Sequence, residues 1–555
     1  MPGLPTITLD TTLADLYRRA CPGSADKRIA QVLCGVSSRA ALSANVPRNA
    51  KYLYQDTPFN TAPPDESRGG PGEDGRRRRR QQQQQQQREQ QRQLAVKYLS
   101  LIPQRDAFIS GATAVVLFHT DETEARKTHD RREAERTLSV LARAQRPDLV
   151  FCAGPSAIPV EEAGIDLIAY KLVLDGLAEG RHGLVVPPDT HWFLNSKAAL
   201  ARSGLPTPRA AILEVDGLAC EARLCCAPCA GGGDDDDDNG DDDEFVIPRA
   251  CTGSRGKWLE AQTEAILAAL ASRPLPFVLK NQQTFGGAGT YVVATEAERG
   301  RLAAHLRGGV LRRLLSSVTA ANVHLRPAAL VLSDLVEDPV GDYGLTFFVA
   351  EDGGPPVFLA ASEQLTDDAR AWVGSTIDYA RQDELKGRFG PLVDRVAAWL
   401  RGHGYVGPAG ADVLETAAAA PGDAKRETDC RRTNGHRADA DPDFPDFHVV
   451  DLNVRTSGSL CLPLLRRHFT SRGLMSASSF SISYGRQGQG GGGGRDGFVA
   501  SFRDDLAAGR MCIVSWYEDP ATGVSLADIA VGAEDERGLR EAMRRVRDAT
   551  EEVTF

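Results

Sequence analysis

The run His448-Val449-Val450-Asp451-Leu452-Asn453-Val454-Arg455-Thr456-Ser457 sets an acid, an amide and a guanidinium two residues apart, the side-chain period of a β-strand. Asp451, Asn453 and Arg455 therefore share one face, while Val450, Leu452 and Val454 form an opposite face able to pack into a core. A carboxylate and an amide carbonyl are oxygen donors that suit Mg²⁺, and a neighbouring guanidinium grips a phosphate or carboxylate with two hydrogen bonds. Such a strand carries the groups of a nucleotide-phosphate site. An internal Arg455–Asp451 ion pair is the competing, purely structural reading, and it leaves the third polar residue on that face unexplained.

A second candidate lies upstream. Residues 276–280 and 290–293 read as short apolar strands around a glycine-rich turn that contains Phe285, Gly286, Gly287 and Gly289, with Lys280 closing the first strand and Thr290 opening the second. Glycines let main-chain N–H groups approach phosphate oxygens, and the lysine supplies a point charge over them. Glycine-rich hairpins also occur as plain turns, so the loop alone is not diagnostic. Two familiar nucleotide signatures are absent: Gly256-Lys257 is followed by Trp258 instead of Ser or Thr, and no GxGxxG follows a strand.

The elements that must position these groups alternate in type. Residues 114–119 read as a buried strand, 122–145 as a charged helix and 148–152 as the next strand, a βαβ pattern that predicts an α/β domain with a parallel sheet. Residues 195–204 read as a helix with a polar start and a glycine stop, followed by an extended exit forced by Pro206 and Pro208. Leu392, Val393, Val396, Trp399 and Leu400 give a further amphipathic helix.

Low-complexity tracts interrupt this pattern. Arginines at 76–80 and glutamines at 81–87 sit within a polar stretch from 62 to 93, expected to be a disordered linker. Insertions at 219–244, 417–446 and 485–497 are expected to be disordered surface loops. The net charge of −10 is inflated by the acidic run inside the first of these. Without it the balance is near neutral, so no basic field argues for nucleic acid, and no aromatic residues interleave with the arginine run. No apolar stretch is long enough to span a membrane, and a cytoplasmic protein is expected. Among the 11 cysteines, Cys226-Ala-Pro-Cys229 has the spacing of a metal or redox pair, but no second CxxC or histidine pair accompanies it. Reduced thiols are the expectation.

Taken in order, Lys197, Lys280 with its glycine loop, a strand ending in Ser333-Asp334-Leu335-Val336-Glu337-Asp338, then Gly410-Ala411-Asp412 and the Asp451-x-Asn453-x-Arg455 strand resemble the ATP-grasp superfamily, specifically its carboxylate-amine ligases. The resemblance covers residues 190–520 and is most specific at the Asp-x-Asn-x-Arg strand. It implies an N-terminal segment (1–61), the linker (62–93), a preATP-grasp α/β domain (94–190), an ATP-grasp N-terminal lobe (191–330), a C-terminal lobe (331–520) and a C-terminal helical segment (521–555). The implied fold class is α/β and α+β: a preATP-grasp βαβ domain, then a two-lobed core with antiparallel sheets.

The resemblance also implies roles. Lys197 and Lys280 would meet the α- and β-phosphates of ATP. Phe285, Gly286, Gly287, Gly289 and Thr290 would form a flexible phosphate lid. Asp334, Leu335 and Val336 would be the adenine hinge, and Glu337 or Asp338 would hold the ribose. Asp412, Asp451 and Asn453 would hold Mg²⁺ or Mn²⁺, and Arg455 would face the transferred phosphate or the substrate carboxylate. A turn cap is the lesser alternative for Asp412, while Lys197 reads equally as a surface lysine and Ser457 and Ser459 as turn residues. Gln364 and Trp372 are candidates for lining an acceptor pocket. The implied activity joins a small-molecule carboxylate to an amine at the expense of ATP. A small-molecule kinase and a nucleotide-binding regulator without turnover are the alternatives. No motif names a protein partner.

Overall fold

A computed structural model describes residues 4–32, 45–54, 97–180, 182–215, 220–230, 247–284, 289–351, 353–366, 372–417, 441, 443–485, 494–520 and 523–552. The linker at 62–93, Phe285, Gly286, Gly287 and most of each expected insertion lie outside these residues.

The first sheet is parallel and has the order β3-β2-β1-β4, with β1 Ile29–Val32, β2 Ala114–Phe118, β3 Asp148–Cys152 and β4 Leu167–Tyr170. Every residue of β2 is buried, as a strand covered on both faces requires. The expected βαβ unit is present, its helix running over Glu124–Leu138. One correction concerns the N-terminus. The described residues of 1–61 do not stand apart: β1 lies inside this sheet, and helix α1, Leu13–Ala20, buries Leu13, Leu16 and Tyr17 in the same core, with the Tyr17 ring edge-on to Phe348 at 4.9 Å.

A small antiparallel sheet follows, in the order β5-β8-β6-β7: β5 Ala210–Leu213, β6 Phe277–Asn281, β7 Thr290–Val293 and β8 Leu330–Asp334. Its chain segment begins with α2 Pro188–Leu194 and α3 Lys197–Arg202, and continues through the short helix α4 Ala227–Ala230 and the long helix α5 Ser254–Ser272. Leu259, Ile266, Leu267 and Leu270 of α5 pack on Phe277, Leu279, Leu330 and Leu332 of the sheet. Because β8 completes this sheet, the lobe extends past its expected boundary at 330.

The large antiparallel sheet has the order β13-β12-β9-β10-β11-β14-β16-β15, with β17 beside β14. Its strands are β9 Gly341–Val349, β10 Val357–Thr366, β11 Trp372–Asp378, β12 Gly407–Glu415, β13 Phe447–Asn453, β14 Ser476–Tyr484, β15 Met511–Glu518, β16 Ser525–Ala533 and β17 Glu551–Glu552. The expected amphipathic helix, α6 Gln382–Gly402, covers one face: Phe389, Leu392, Val393 and Val396 meet Ala411, Val413, Val449 and Leu452. A second correction falls at the C-terminus, where 521–555 is not helical throughout. Its helix α7, Glu536–Ala549, follows the wholly buried strand β16, whose small residues escape a search for bulky apolar runs.

Three sheets in this chain order match the fold class read from the sequence. A buried pair links the parallel sheet to the functional strand: Lys171 Nζ lies 2.7 Å from Asp106 Oδ2, which also accepts from Thr456 Oγ1 at 3.1 Å. Among the described residues no helix is long and apolar enough to cross a membrane.

His468 gives the fold a pH dependence. It is 4% exposed, and its Nε2 lies 3.1 Å from the Gly509 carbonyl. Burial and the nearby Arg472 pull its pKa down to about 4, against the upward pull of that carbonyl. The unfolded chain takes up this proton near pH 6.5, the native chain only near 4, so the stability is full above about 6.5 and is lost as the pH falls. In urea titrations from about pH 7 to about pH 4, the wild type is expected to lose stability more steeply than His468→Gln, by up to about 1.4 kcal/mol per pH unit. Equal slopes would refute this account of His468.

Candidate active site

The strand β13 delivers its polar residues with one irregularity. Pairing with β12 sets Asp412 opposite Asp451 and Gly410 opposite Asn453, then shifts so that Val413 faces Val449. Val450 is thus the extra residue of a β-bulge. Leu452 and Val454 are buried as expected, but Val449 enters the core instead of Val450, which corrects the alternation read from the sequence. The bulge depends on the partner strand, which the pattern of one strand does not report. It leaves the Val450 carbonyl to accept from Lys280 Nζ at 2.7 Å.

Two carboxylates directly opposite each other repel. The offsetting charge comes from the other sheet. Lys197, the first residue of α3, is 7% exposed and ion-paired with Asp451. It is placed by two bonds to the end of β6: Lys197 N donates to Gln282 O at 3.1 Å and Ala198 N to Gln282 Oε1 at 3.0 Å. The Ser196 hydroxyl caps the helix, accepting from Ala199 N at 3.2 Å. Lys280 extends from β6, opposite Thr290 on β7.

The electrostatics follow from this placement. Burial pulls the Lys280 pKa down to about 8, with Asp451 resisting and Lys197 adding to the pull. Burial pushes the Asp412 carboxyl up to about 7, helped by Asp451 and Asp342 and opposed by Lys197. Asp451 goes the other way: although burial acts to raise it, Lys197, Lys280 and Arg455 hold it below the usual carboxylate range. Of the two facing acids, Asp412 is the one the protein's own cations compensate less.

Two further side chains align the set. Gln364 Nε2 donates to Asp412 Oδ1 at 2.8 Å, and Asn453 Nδ2 to Asp412 Oδ2 at 3.2 Å. Gly344, opposite Asp412 on β9, makes room for this, since a Cβ there would lie 2.7 Å from Gln364 Nε2. Arg455 donates to Asn195 Oδ1 at 2.8 Å and to Asn453 Oδ1 at 2.7 Å, while Asn195 Oδ1 also accepts from Val454 N at 3.1 Å. The sequence marks Asn195 only as a helix start; its role as the partner of Arg455 needs the tertiary fold. Gln364, expected to line a pocket, contacts the acid itself.

Asp412, Asp451 and Asn453 therefore meet on neighbouring strands, joined by Lys197, Lys280 and Arg455. Two half-buried carboxylates, one with a raised pKa, and an adjacent amide form an oxygen donor set that fits Mg²⁺ or Mn²⁺. The hinge candidates lie where the chain passes from β8 to β9. There Asp334 is ion-paired with Arg273, Leu335 and Val336 are half-buried, and Glu337 and Asp338 are exposed. In the glycine turn, Gly289 has φ +62 and its carbonyl accepts from Asn281 N at 2.9 Å; a Cβ there would lie 2.5 Å from Asn281 Nδ2. Trp372 is half-buried against Gly458, where a Cβ would come within 2.2 Å of the indole, and the Ser457 and Ser459 hydroxyls lie 3.2 Å apart.

No family model matches this chain, and no curated protein matches it. Among solved structures, it is similar to an N5-carboxyaminoimidazole ribonucleotide synthetase in its ADP complex, with 12% identity, TM-score 0.42 and coverage of 80% of this chain and 91% of the other. It is also similar to biotin carboxylase from Campylobacter jejuni, with 13% identity, TM-score 0.40 and coverage of 80% and 86%. For L-amino acid ligase from Bacillus licheniformis the values are 11%, 0.40, and 79% and 91%.

The two acids are expected to respond oppositely when replaced in chelator-treated protein. Asp451→Ala strands Lys197 and Lys280 without their carboxylate and should cost about 3 kcal/mol in urea unfolding. Asp412→Asn removes the repelling charge and should cost clearly less or stabilise. If Asp412→Asn is the more damaging change, the charge balance described here is wrong.

Proposed function

We propose that the chain is an ATP- and Mg²⁺-dependent ligase that activates a small-molecule carboxylate and joins it to an amine. The observation that carries this reading is the facing pair Asp412 and Asp451 on the large sheet, met by Lys197 and Lys280 from the small one. A site with carboxylates on one wall and lysines on the other suits a polyphosphate accompanied by a divalent cation. The order of these parts along the chain, which resembles ATP-grasp ligases, supports the same reading.

Phosphoryl transfer depends on positioning and charge neutralisation more than on a protein nucleophile. In the proposed reaction a substrate carboxylate oxygen bonds to the γ-phosphorus as the bond to ADP breaks, giving an acyl phosphate. The amine then attacks the acyl carbon, phosphate leaves, and the amine gives up a proton. Lys197 and Lys280 would hold phosphate oxygens. Arg455, fixed by Asn195 and Asn453, would hold the substrate carboxylate or the transferred phosphate in a bidentate grip. Asp412, Asp451 and Asn453 would hold Mg²⁺ or Mn²⁺, which supplies charge neutralisation for the phosphates when bound. Gln364 would keep Asp412 oriented. Gly286, Gly287 and Gly289 suit a loop that closes over the phosphates and keeps water from the acyl phosphate. Leu335 and Val336 would offer main-chain groups to the adenine, with Glu337 or Asp338 near the ribose.

Incubation with ATP, Mg²⁺ and pools of carboxylates and amines is expected to release ADP only when both substrates are present, with an amide in the product masses. Lys280→Ala and Asp451→Asn are each expected to lower the rate by about 100-fold or more. ADP release without an amine, giving a phosphorylated metabolite, would replace the ligase reading with a kinase. Equal release by wild type and both variants would remove these residues from the chemistry.

A further inference from the structure

The cysteine cluster lies apart from the proposed active site, at the edge of the small sheet's helical layer. Cys225, Cys226 and Cys229 come from the segment 220–230 that includes α4, and Cys251 comes from the approach to α5. Their sulfur atoms all fall within 4.8 Å of one another. Cys251 Sγ stands 3.7 Å from Cys225 Sγ, 3.6 Å from Cys226 Sγ and 3.3 Å from Cys229 Sγ. We propose that these four half-buried cysteines form a structural zinc site that ties the segment 220–230 to the start of α5.

The spacing discriminates among the possible states of four thiols. A disulfide needs sulfurs about 2.0 Å apart, and the observed separations are far longer. Sulfurs about 2.3 Å from a central zinc in a tetrahedron stand about 3.8 Å from each other, close to what is seen. The ligand pattern is also chemically suited, because soft thiolates favour zinc over the hard cations that fit Asp412 and Asp451. Four protein ligands leave no open position, which marks a structural ion and not a catalytic one.

The surroundings support the cluster as a built feature. Arg255 N donates to Cys225 Sγ at 3.3 Å, the type of N–H···S bond that orients a metal-bound thiolate. That amide belongs to the first turn of α5, a helix of 19 residues whose N-terminus favours negative charge. Close backbone approach is enforced by glycine at two places. A Cβ on Gly253 would lie 2.5 Å from Cys225 Sγ, and one on Gly256 would lie 2.2 Å from Cys251 O and 3.3 Å from Cys251 Sγ. Cys251 and Trp258 also pack against the hydrophobic cluster beneath α5, so the site is anchored to the lobe's core. The sequence does not announce this meeting of thiols because Cys251 stands alone, 22 residues beyond Cys229 across the acidic tract. No second CxxC announces it.

The test uses the full chain purified under reducing conditions without added chelator. Elemental analysis is expected to give one zinc per chain. Exchange with Co²⁺ is expected to give the intense charge-transfer absorption of a tetrahedral tetrathiolate. Cys226→Ser and Cys251→Ser should each lose the ion and the absorption, while Cys220→Ser should keep both, since Cys220 contacts Ser254 but lies outside the set of four. Should a variant fail to fold, the wild type still decides: a thiol reagent should react with these cysteines slowly until a strong chelator is added. Metal-free wild type with freely reacting thiols, a disulfide among the four by mass, or iron in place of zinc would each overturn the proposal. None of these readouts depends on ATP turnover.

Discussion

The constraint on which the site rests is the cross-strand pairing of Asp412 with Asp451. Two like charges in register on adjacent strands destabilise a sheet unless something positive stands over them. Besides Arg455, just past β13, the positive groups come from outside this sheet. Lys197 and Lys280 reach across from α3 and β6, and each anchors to β13, one at the Asp451 carboxylate and one at the Val450 carbonyl. Docking the small sheet on the large one therefore both neutralises the acids and assembles the cleft. A fold that separated the lobes would leave Arg455 as the cation remaining beside the two acids. The arrangement makes lobe association and site formation the same event.

Precision in the acid wall comes from ordinary packing. β12 lies between β9 and β13, so Asp412 is held on both edges, and Val413, Val449, Leu452 and Val454 are almost fully buried beneath α6. Groups mounted on such strands are held more tightly than groups on loops. The bulge at Val450 is the one departure from regular pairing, and it serves the site by turning a carbonyl toward Lys280. Arg455 stands two residues past the end of β13 at Asn453 and needs separate support, which Asn195 provides by accepting from both its guanidinium and the Val454 amide.

What could be read from the sequence divides along a physical line. The polar face of β13 and the amphipathic stripe of α6 depend on local periodicity, and both were legible. The parallel sheet was legible where its strands are continuous apolar runs, as in β2, but β1 is short and carries Gln31 at its centre, so it was missed. β16 was missed because Ala, Gly and Ser fill much of it and its buried Asp528 looks like a surface residue. That acid is satisfied by Ser481 and Ser515 hydroxyls from the neighbouring strands. The bulge at Val450, the support of Arg455 by Asn195 and the meeting of Cys251 with Cys226 and Cys229 all depend on partners distant in sequence. No local pattern encodes them.

The charge inventory of the cleft has a consequence for how ligands would enter it on the proposed reading. Lys197 and Asp451 are each other's partners in the structure, so a phosphate that recruits Lys197 leaves Asp451 without its cation, and a divalent ion that recruits Asp451 leaves Lys197 without its anion. Taken alone, either exchange uncovers a charge in a poorly solvated site, which is costly. Taken together they cancel, because the phosphate becomes the anion for Lys197 and the divalent ion the cation for Asp451. Asp412, already short of positive charge, adds to the demand for the cation. On the proposed reading the ion pair would act as a latch that favours the joint arrival of nucleotide and metal over either one singly.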